Sequence, residues 1–289
     1  MTPSTNNSLF STKNLFVAAL TASVACRVHA AEGNNSTSVD HATFGDITSG
    51  SGKCVTGNPN KGGVTRDQVD WVWENTMSKY VPQFNNLIFD QLVTNKGKLN
   101  YCVRWDNDLP LTKATASKFQ AMLEKQINLW NHWLVGYGCW PQVHHGLERR
   151  LAWYDLRGLL DAEGSPKCPD ECYKHQNQAA SADTSGCKGN PFDMSLWPST
   201  IPGENAAGTG GDWGQRVQVN DMLNTMDQEQ MRVLLHEIGH GFGLPEMYLN
   251  ENKPSDYPVC VMDGEFSLTD GDGWLLRSIL EKIKSRYNF

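Results

Sequence analysis

The stretch His236-Glu237-Ile238-Gly239-His240-Gly241-Phe242-Gly243-Leu244-Pro245-Glu246 constrains this 289-residue chain more than any other. It contains H-E-x-x-H. On a helix, residues four apart share a face, so His236 and His240 can direct an imidazole nitrogen at one ion. Glu237 lies beside that face and can reach a water held by the ion as a general base. Two helical ligands need a third from elsewhere. Gly243, three residues past His240, can take a positive φ and turn the chain back under the metal. Glu246 then falls where the longer pattern H-E-x-x-H-x-x-G-x-x-H carries its third ligand, and a carboxylate can fill that place. The expected site is one Zn²⁺ held by His236, His240 and Glu246, with Glu237 as the catalytic base.

A second element stands in register behind this one. Val259-Cys260-Val261-Met262-Asp263-Gly264 places a methionine in a tight turn sixteen residues past Glu246. At that distance Met262 can form an apolar floor beneath the metal without binding it.

The N-terminus reads as a secretory signal over residues 1–30. Lys13 precedes an apolar core, Leu15 to Ala25, and Val28-His29-Ala30 fits the small-x-small cleavage pattern. Ser23-Val24-Ala25 is a poor lead-in for lipidation at Cys26. No later apolar run is long enough to span a membrane, so none is expected after signal removal. The net charge of −7 argues against a nucleic-acid partner. The expected product is an extracellular monomer acting on protein or peptide.

Of the eight cysteines, Cys26 leaves with the signal and seven remain. Outside the cell most should form disulfides, and an odd number leaves one over. Cys168, Cys172 and Cys187 sit in a Pro/Gly/Ser-rich loop that needs staples. Cys54, ahead of the folded region, is the odd candidate. It can act as a latency thiolate on the metal or, more simply, pair with a distant cysteine such as Cys260.

Residues 31–63 lack periodicity and read as a flexible leader or short pro-segment, with glycosylation sequons at Asn34-Asn35-Ser36-Thr37. Residues 64–289 read as a single domain, with a subdomain break near 243. Thr65-x-x-Gln68 predicts a capped helix. Leu99 to Trp105 predicts a strand. Thr115 to Val135 predicts a helix burying Phe119, Met122, Leu123, Ile127, Trp130, Trp133 and Leu134, stopped by Gly136. Gln142 to Asp155 suggests a strand, in which the adjacent His144 and His145 face opposite sides and do not share a metal. Residues 161–214 predict a long disulfide-pinned loop. It ends in the glycine run Gly208 to Gly214, which is either an edge that receives an extended peptide or a flexible turn. A short strand, Arg216 to Val219, follows. The active-site helix is expected to start near Thr225 with a Thr225/Gln228 or Asp227/Gln230 cap, and Trp274 to Tyr287 forms a last amphipathic helix.

Taken together, His236 to Tyr248, Met262, Asn100 to Trp105, Trp130 to Pro141 and Gly210 to Val217 resemble the metzincin clan of zinc endopeptidases. More closely, they resemble a family of secreted microbial neutral zinc metallopeptidases, some labelled cellulose-binding. The resemblance covers most of the chain from Gln68 onward. It implies an α+β zincin fold: a mixed sheet and the zinc helix in an N-terminal subdomain, and a small C-terminal subdomain ending in a helix. In snapalysin-type members the third ligand is an aspartate, so Glu246 is a one-methylene departure that keeps the ligand type. Two other readings compete with an active peptidase. One is a carbohydrate-binding module that uses the ten tryptophans, and the other is an inactive relative with a structural zinc.

Overall fold

The computed structural model describes residues 57–61, 63–140, 168–179, 181–203 and 206–287, with the backbone of 18–19 and 153–156. The predicted signal cleavage site, Cys26, Cys54, His144 and His145 lie outside the described residues.

The fold is α+β, built on a mixed sheet. Its strands are β1 (Ala18–Ala19), β2 (Tyr101–Trp105), β3 (Trp153–Leu156), β4 (Met194–Ser199), β5 (Ala206–Gly211) and β6 (Gly214–Gln218), in the order β1-β5-β6-β4-β2-β3. Strands β3, β2, β4 and β6 run parallel, and β5 returns antiparallel to β6. The helices are α1 (Arg66–Asn75), α2 (Ile88–Thr94), α3 (Lys113–Ala116), α4 (Phe119–His132), α5 (Val219–Thr225), α6 (Arg232–Phe242) and α7 (Asp270–Ile283). Among the described residues no helix is long and apolar enough to cross a membrane.

Period-two alternation places the strands. Tyr101, Val103 and Trp105 of β2 and Met194 and Leu196 of β4 enter the main core. Cys102, on the opposite face, is bridged to Cys168, and Cys172 is bridged to Cys187. With Phe192 these cysteines form a second small apolar cluster, so the stapled loop covers that end of the sheet. Cys139 is also disulfide-bonded. Cys260 is a buried free thiol. Cys260 is therefore not the distant partner of Cys54 that the sequence suggested. It is buried against Tyr257 and Asp272, with no second cysteine beside it among the described residues.

The chain departs from the predicted elements in four places. The helix expected over 115–135 divides into α3 and α4. The Ser117 hydroxyl donates to the Ala114 carbonyl and takes up a helical acceptor at the break. The long loop expected over 161–214 contains the central strand β4. Pro198 disguised it in the sequence, and is tolerated because pairing with β2 ends at Leu196 while its carbonyl still accepts the Asp106 N–H at 3.1 Å. The glycine run is neither a loop nor a flexible turn as a whole. Gly208 to Gly211 are part of β5, and the chain reverses at Asp212-Trp213. The strand expected at Arg216 to Val219 is β6, which begins at Gly214 and ends at Gln218. By contrast, Thr65 and Gln68 form the expected reciprocal cap on α1. Gly136 has φ 75° as a helix stop, and α7 buries Leu275, Leu276, Ile279, Leu280 and Ile283.

Buried polar groups join the hairpin turn to the rest of the fold. Gln91 on α2 donates to the carbonyls of Asn86 and Asp212, both at 2.7 Å. Tyr101 donates to Gln215 at 3.1 Å. The fully buried Asp193 takes Asn95, the Asn100 N–H and Lys174. Burial raises the Asp212 carboxyl from 3.8 to about 6, against the opposing pull of Asn86 and His175. The neutral acid is thus the form the fold favours. Its contribution is fully present below pH 3.8 and is lost as pH rises through about 6. Asp212→Asn should remove a loss of stability on the order of 2 kcal/mol between those pH values. Urea unfolding of both proteins from pH 3.5 to 7.5 checks this, and parallel curves would contradict it.

Candidate metal centre

Helix α6 carries the first two donors, and its start is set by tertiary structure. Its N-cap, Met231, makes no side-chain cap. The buried Gln126 side chain of α4 instead accepts the Met231 N–H at 2.9 Å. Residues 226–231 separate α5 from α6, so the caps expected at Thr225 and Asp227 are not the ones used. Met231, Leu234, Leu235 and Ile238 are buried as the periodicity predicts. Gly239 lies against Met262 and Trp130, and Gly241 against Ile88 and the Gly211 carbonyl. Each glycine costs helix propensity of roughly 1 kcal/mol relative to alanine and allows that close packing.

The helix ends at Gly243, whose φ of 97° is the left-handed turn the sequence called for. Tyr80 donates to the Gly243 carbonyl at 2.8 Å, and Asn252 donates to the Glu246 carbonyl at 2.8 Å. The returning segment brings Glu246 between the two imidazoles. His236 Nε2 lies 3.0 Å from Glu246 Oε2, His240 Nε2 lies 3.2 Å from Glu246 Oε1, and the two Nε2 atoms are 3.2 Å apart. All three side chains are buried.

The far side of each ring identifies the tautomers. His236 Nδ1 is 2.9 Å from the Val261 carbonyl, and His240 Nδ1 is 2.9 Å from the Leu244 carbonyl. A carbonyl only accepts, so each Nδ1 carries the proton and each Nε2 presents a lone pair. Two lone pairs and a carboxylate then converge in a buried space. That arrangement is repulsive by itself and fits a cation. Tetrahedral coordination at about 2.0–2.1 Å puts neighbouring nitrogens about 3.3 Å apart, close to the spacing of these rings. The triad can therefore hold a metal ion, and its two-nitrogen, one-oxygen donor set leaves a fourth position open.

Met262 packs beneath the helix, in the turn Val261–Asp263 closed by Gly264 at φ 91°. This turn also orients a ligand. The fully buried Asp272 of α7 accepts the N–H groups of Val261 at 2.9 Å and Met262 at 3.2 Å, and the Val261 carbonyl receives His236. Asp272 also closes the cap of α7 with Thr269. The sequence pattern Thr269-x-x-Asp272 signals that cap; its second role exists only in three dimensions.

Glu237 is 1% exposed, and its Oε2 is buried without a hydrogen-bond partner among the described residues. Burial raises its carboxyl to about 8, with His236 opposing and Glu246 adding to the shift. Tyr248, to which the sequence reading assigned no role, stacks beside His236 at 6.3 Å between centroids and 17° between planes. Burial first, then the Glu246 and Glu237 carboxylates, push its phenol well above the ordinary range, so it stays a proton donor. Its place two residues after Glu246 was the available signal.

Compared with known protein families, curated proteins and solved structures, the chain finds no match.

Two outcomes follow from this geometry. Purified protein should carry one equivalent of a divalent metal ion by elemental analysis, and His240→Ala and Glu246→Ala should lose it while Glu246→Asp retains it. Asp272→Asn should weaken metal binding about 10–100-fold, read by competition with a chromophoric chelator, because it frees the turn that orients His236. An unchanged affinity would show that the turn is held by other means.

Proposed function

We propose that this chain is a secreted zinc-dependent endopeptidase of the metzincin type. The observation that carries the reading is the convergence of His236 Nε2, His240 Nε2 and Glu246 beside Glu237, whose Oε2 has no hydrogen-bond partner among the described residues. A purely structural zinc site closes its coordination with four protein ligands, whereas the described residues offer three here. The residues fit zinc by donor type and spacing. Bound there, zinc would supply a Lewis acid and an acidified water.

The chain's own groups divide the remaining work. Glu237 accepts the proton of the attacking water and returns it to the leaving amine. The Tyr248 hydroxyl donates to the oxygen on which charge develops as the carbonyl becomes tetrahedral. The Nδ1–H contacts to Val261 and Leu244 keep both imidazoles turned toward the centre. Strand β5 borders the site, and its outer edge already pairs antiparallel with β1. That pairing supports an edge that accepts an extended peptide substrate through main-chain hydrogen bonds.

The signal-like residues 1–30 and the disulfides Cys102–Cys168 and Cys172–Cys187 support an extracellular setting. The carbohydrate-module alternative loses ground because Trp105, Trp130, Trp133, Trp140 and Trp274 are buried and offer no stacking surface.

The mature protein should hydrolyse a denatured protein substrate, lose activity to a chelator and regain it with zinc. Glu237→Ala should lower kcat by at least about 100-fold, and Tyr248→Phe by about 100-fold, with zinc content unchanged in both. Activity indifferent to the chelator, or equal in wild type and Glu237→Ala, would refute the mechanism.

A further inference from the structure

One oxygen of the Glu237 carboxylate, Oε2, is buried with no hydrogen-bond partner among the described residues. A free oxygen is what a base needs, but a glutamate has three side-chain torsions, and something must still hold it. The contact that does so comes from β5. Gly208 and Gly210, two apart on the strand, both face α6 and are both buried. A Cβ on Gly210 would lie 2.1 Å from the backbone carbonyl oxygen of Glu237. A Cβ on Gly208 would lie 2.5 Å from Glu237 Oε1 and 2.8 Å from its Cδ and Cγ. The first clash is with backbone and measures how closely strand and helix approach. The second is with the end of the side chain alone. At 2.5 Å the methyl group would sit about 1 Å inside a normal contact, so the carboxylate rests directly on the Gly208 main chain.

We propose that Gly208 is a positioning residue for the general base: the bare Cα of this strand position is the wall that sets where the Glu237 carboxylate stands. The assignment rests on the peptidase reading for its catalytic consequence, but the contact itself does not. Between Gly208 and Gly210, Thr209 faces the other side, in register with Arg216, and its hydroxyl donates to the Gly208 carbonyl at 2.9 Å. The alternation Gly208-Thr209-Gly210 therefore serves two faces of the strand. A sequence-level reading as a flexible turn misses this, because the glycines are needed for what they leave out.

The test is a double-mutant cycle between G208A and E237D, with a readout that does not require turnover. Shortening Glu237 by one methylene withdraws the carboxylate from the space an alanine at 208 would fill. The zinc-loaded proteins are titrated calorimetrically with acetohydroxamic acid, a chelating probe whose hydroxyl proton is taken up by the base carboxylate. Peptide hydrolysis is measured alongside, and zinc content is measured in every variant. G208A is expected to keep one zinc, to bind the hydroxamate about tenfold more weakly, and to lose roughly 100-fold in kcat with KM within about twofold. In the E237D background the same substitution should cost little, so that the double variant matches E237D.

Hydroxamate affinity and kcat in G208A equal to wild type, or strictly additive losses in the double variant, would overturn the assignment. If wild type hydrolyses nothing, the peptidase reading fails and the hydroxamate cycle alone decides the contact. If G208A does not fold while the double variant does, the contact is upheld; if neither folds, the clash is with the helix as a whole and the assignment fails.

Discussion

Two imidazole lone pairs and a carboxylate are held facing one another with little solvent between them. Each would repel the others or pay for its lost hydration, and a cation resolves both problems at once. Much of the surrounding structure exists to keep the three donors from relaxing apart. The Val261 and Leu244 carbonyls take the Nδ1 protons, the left-handed Gly243 returns the chain, and Asn252 fastens the Glu246 backbone. Asp272, a residue of the last helix, ties down the turn that holds the first histidine. The site is therefore coupled to the C-terminal helix through one buried carboxylate.

A second constraint is the closeness of α6 to its neighbours. Gly239, Gly241, Gly208 and Gly210 all stand where a methyl group would collide with Met262, Trp130, Ile88 or Glu237. Helix and strand residues of this kind weaken their own elements. The compensation is burial: α6 is covered along its length from Val233 to Phe242. The helix gains its N-terminal hydrogen bond from Gln126, a residue of a neighbouring helix, so it depends on packing more than on its own caps. The same close approach brings the Glu237 carboxylate to β5, whose outer edge pairs with β1.

Electrostatics follow from this burial. Glu237 and Asp212 are both raised chiefly by desolvation, yet their surroundings differ. Asp212 closes a hairpin and its backbone carbonyl is fastened by Gln91, whereas Glu237 faces the three donors, and among the described residues each carries one buried oxygen with no hydrogen-bond partner. The disulfides Cys102–Cys168 and Cys172–Cys187 lie on the opposite side of the sheet, where a loop rather than a helix supplies the cover. They stabilise a layer that has little apolar surface of its own.

Residue spacing alone determined the three side chains that could hold a metal ion. His236 and His240 fall on one helical face by the 3.6-residue period, and Gly243 and Glu246 follow from how a chain must turn to supply a third ligand. The Thr65 cap, the apolar faces of α4 and α7 and the strand at Tyr101–Trp105 were legible for the same reason, because they depend on neighbours within a few residues. Four other features were not. Strand β4 was hidden by Pro198, whose tolerance depends on where β2 stops. Glycines 208 and 210 read as either a strand edge or a turn, because their use is to admit a helix more than twenty residues away in sequence. Gln126 and Asp272 take their roles from hydrogen bonds to residues 231 and 261. Cys260 is a free thiol because no described cysteine is brought near it. Local periodicity encodes which groups share a face; it carries no information about which distant backbone that face will touch. That is decided only when the core closes, by the sizes of the side chains in between.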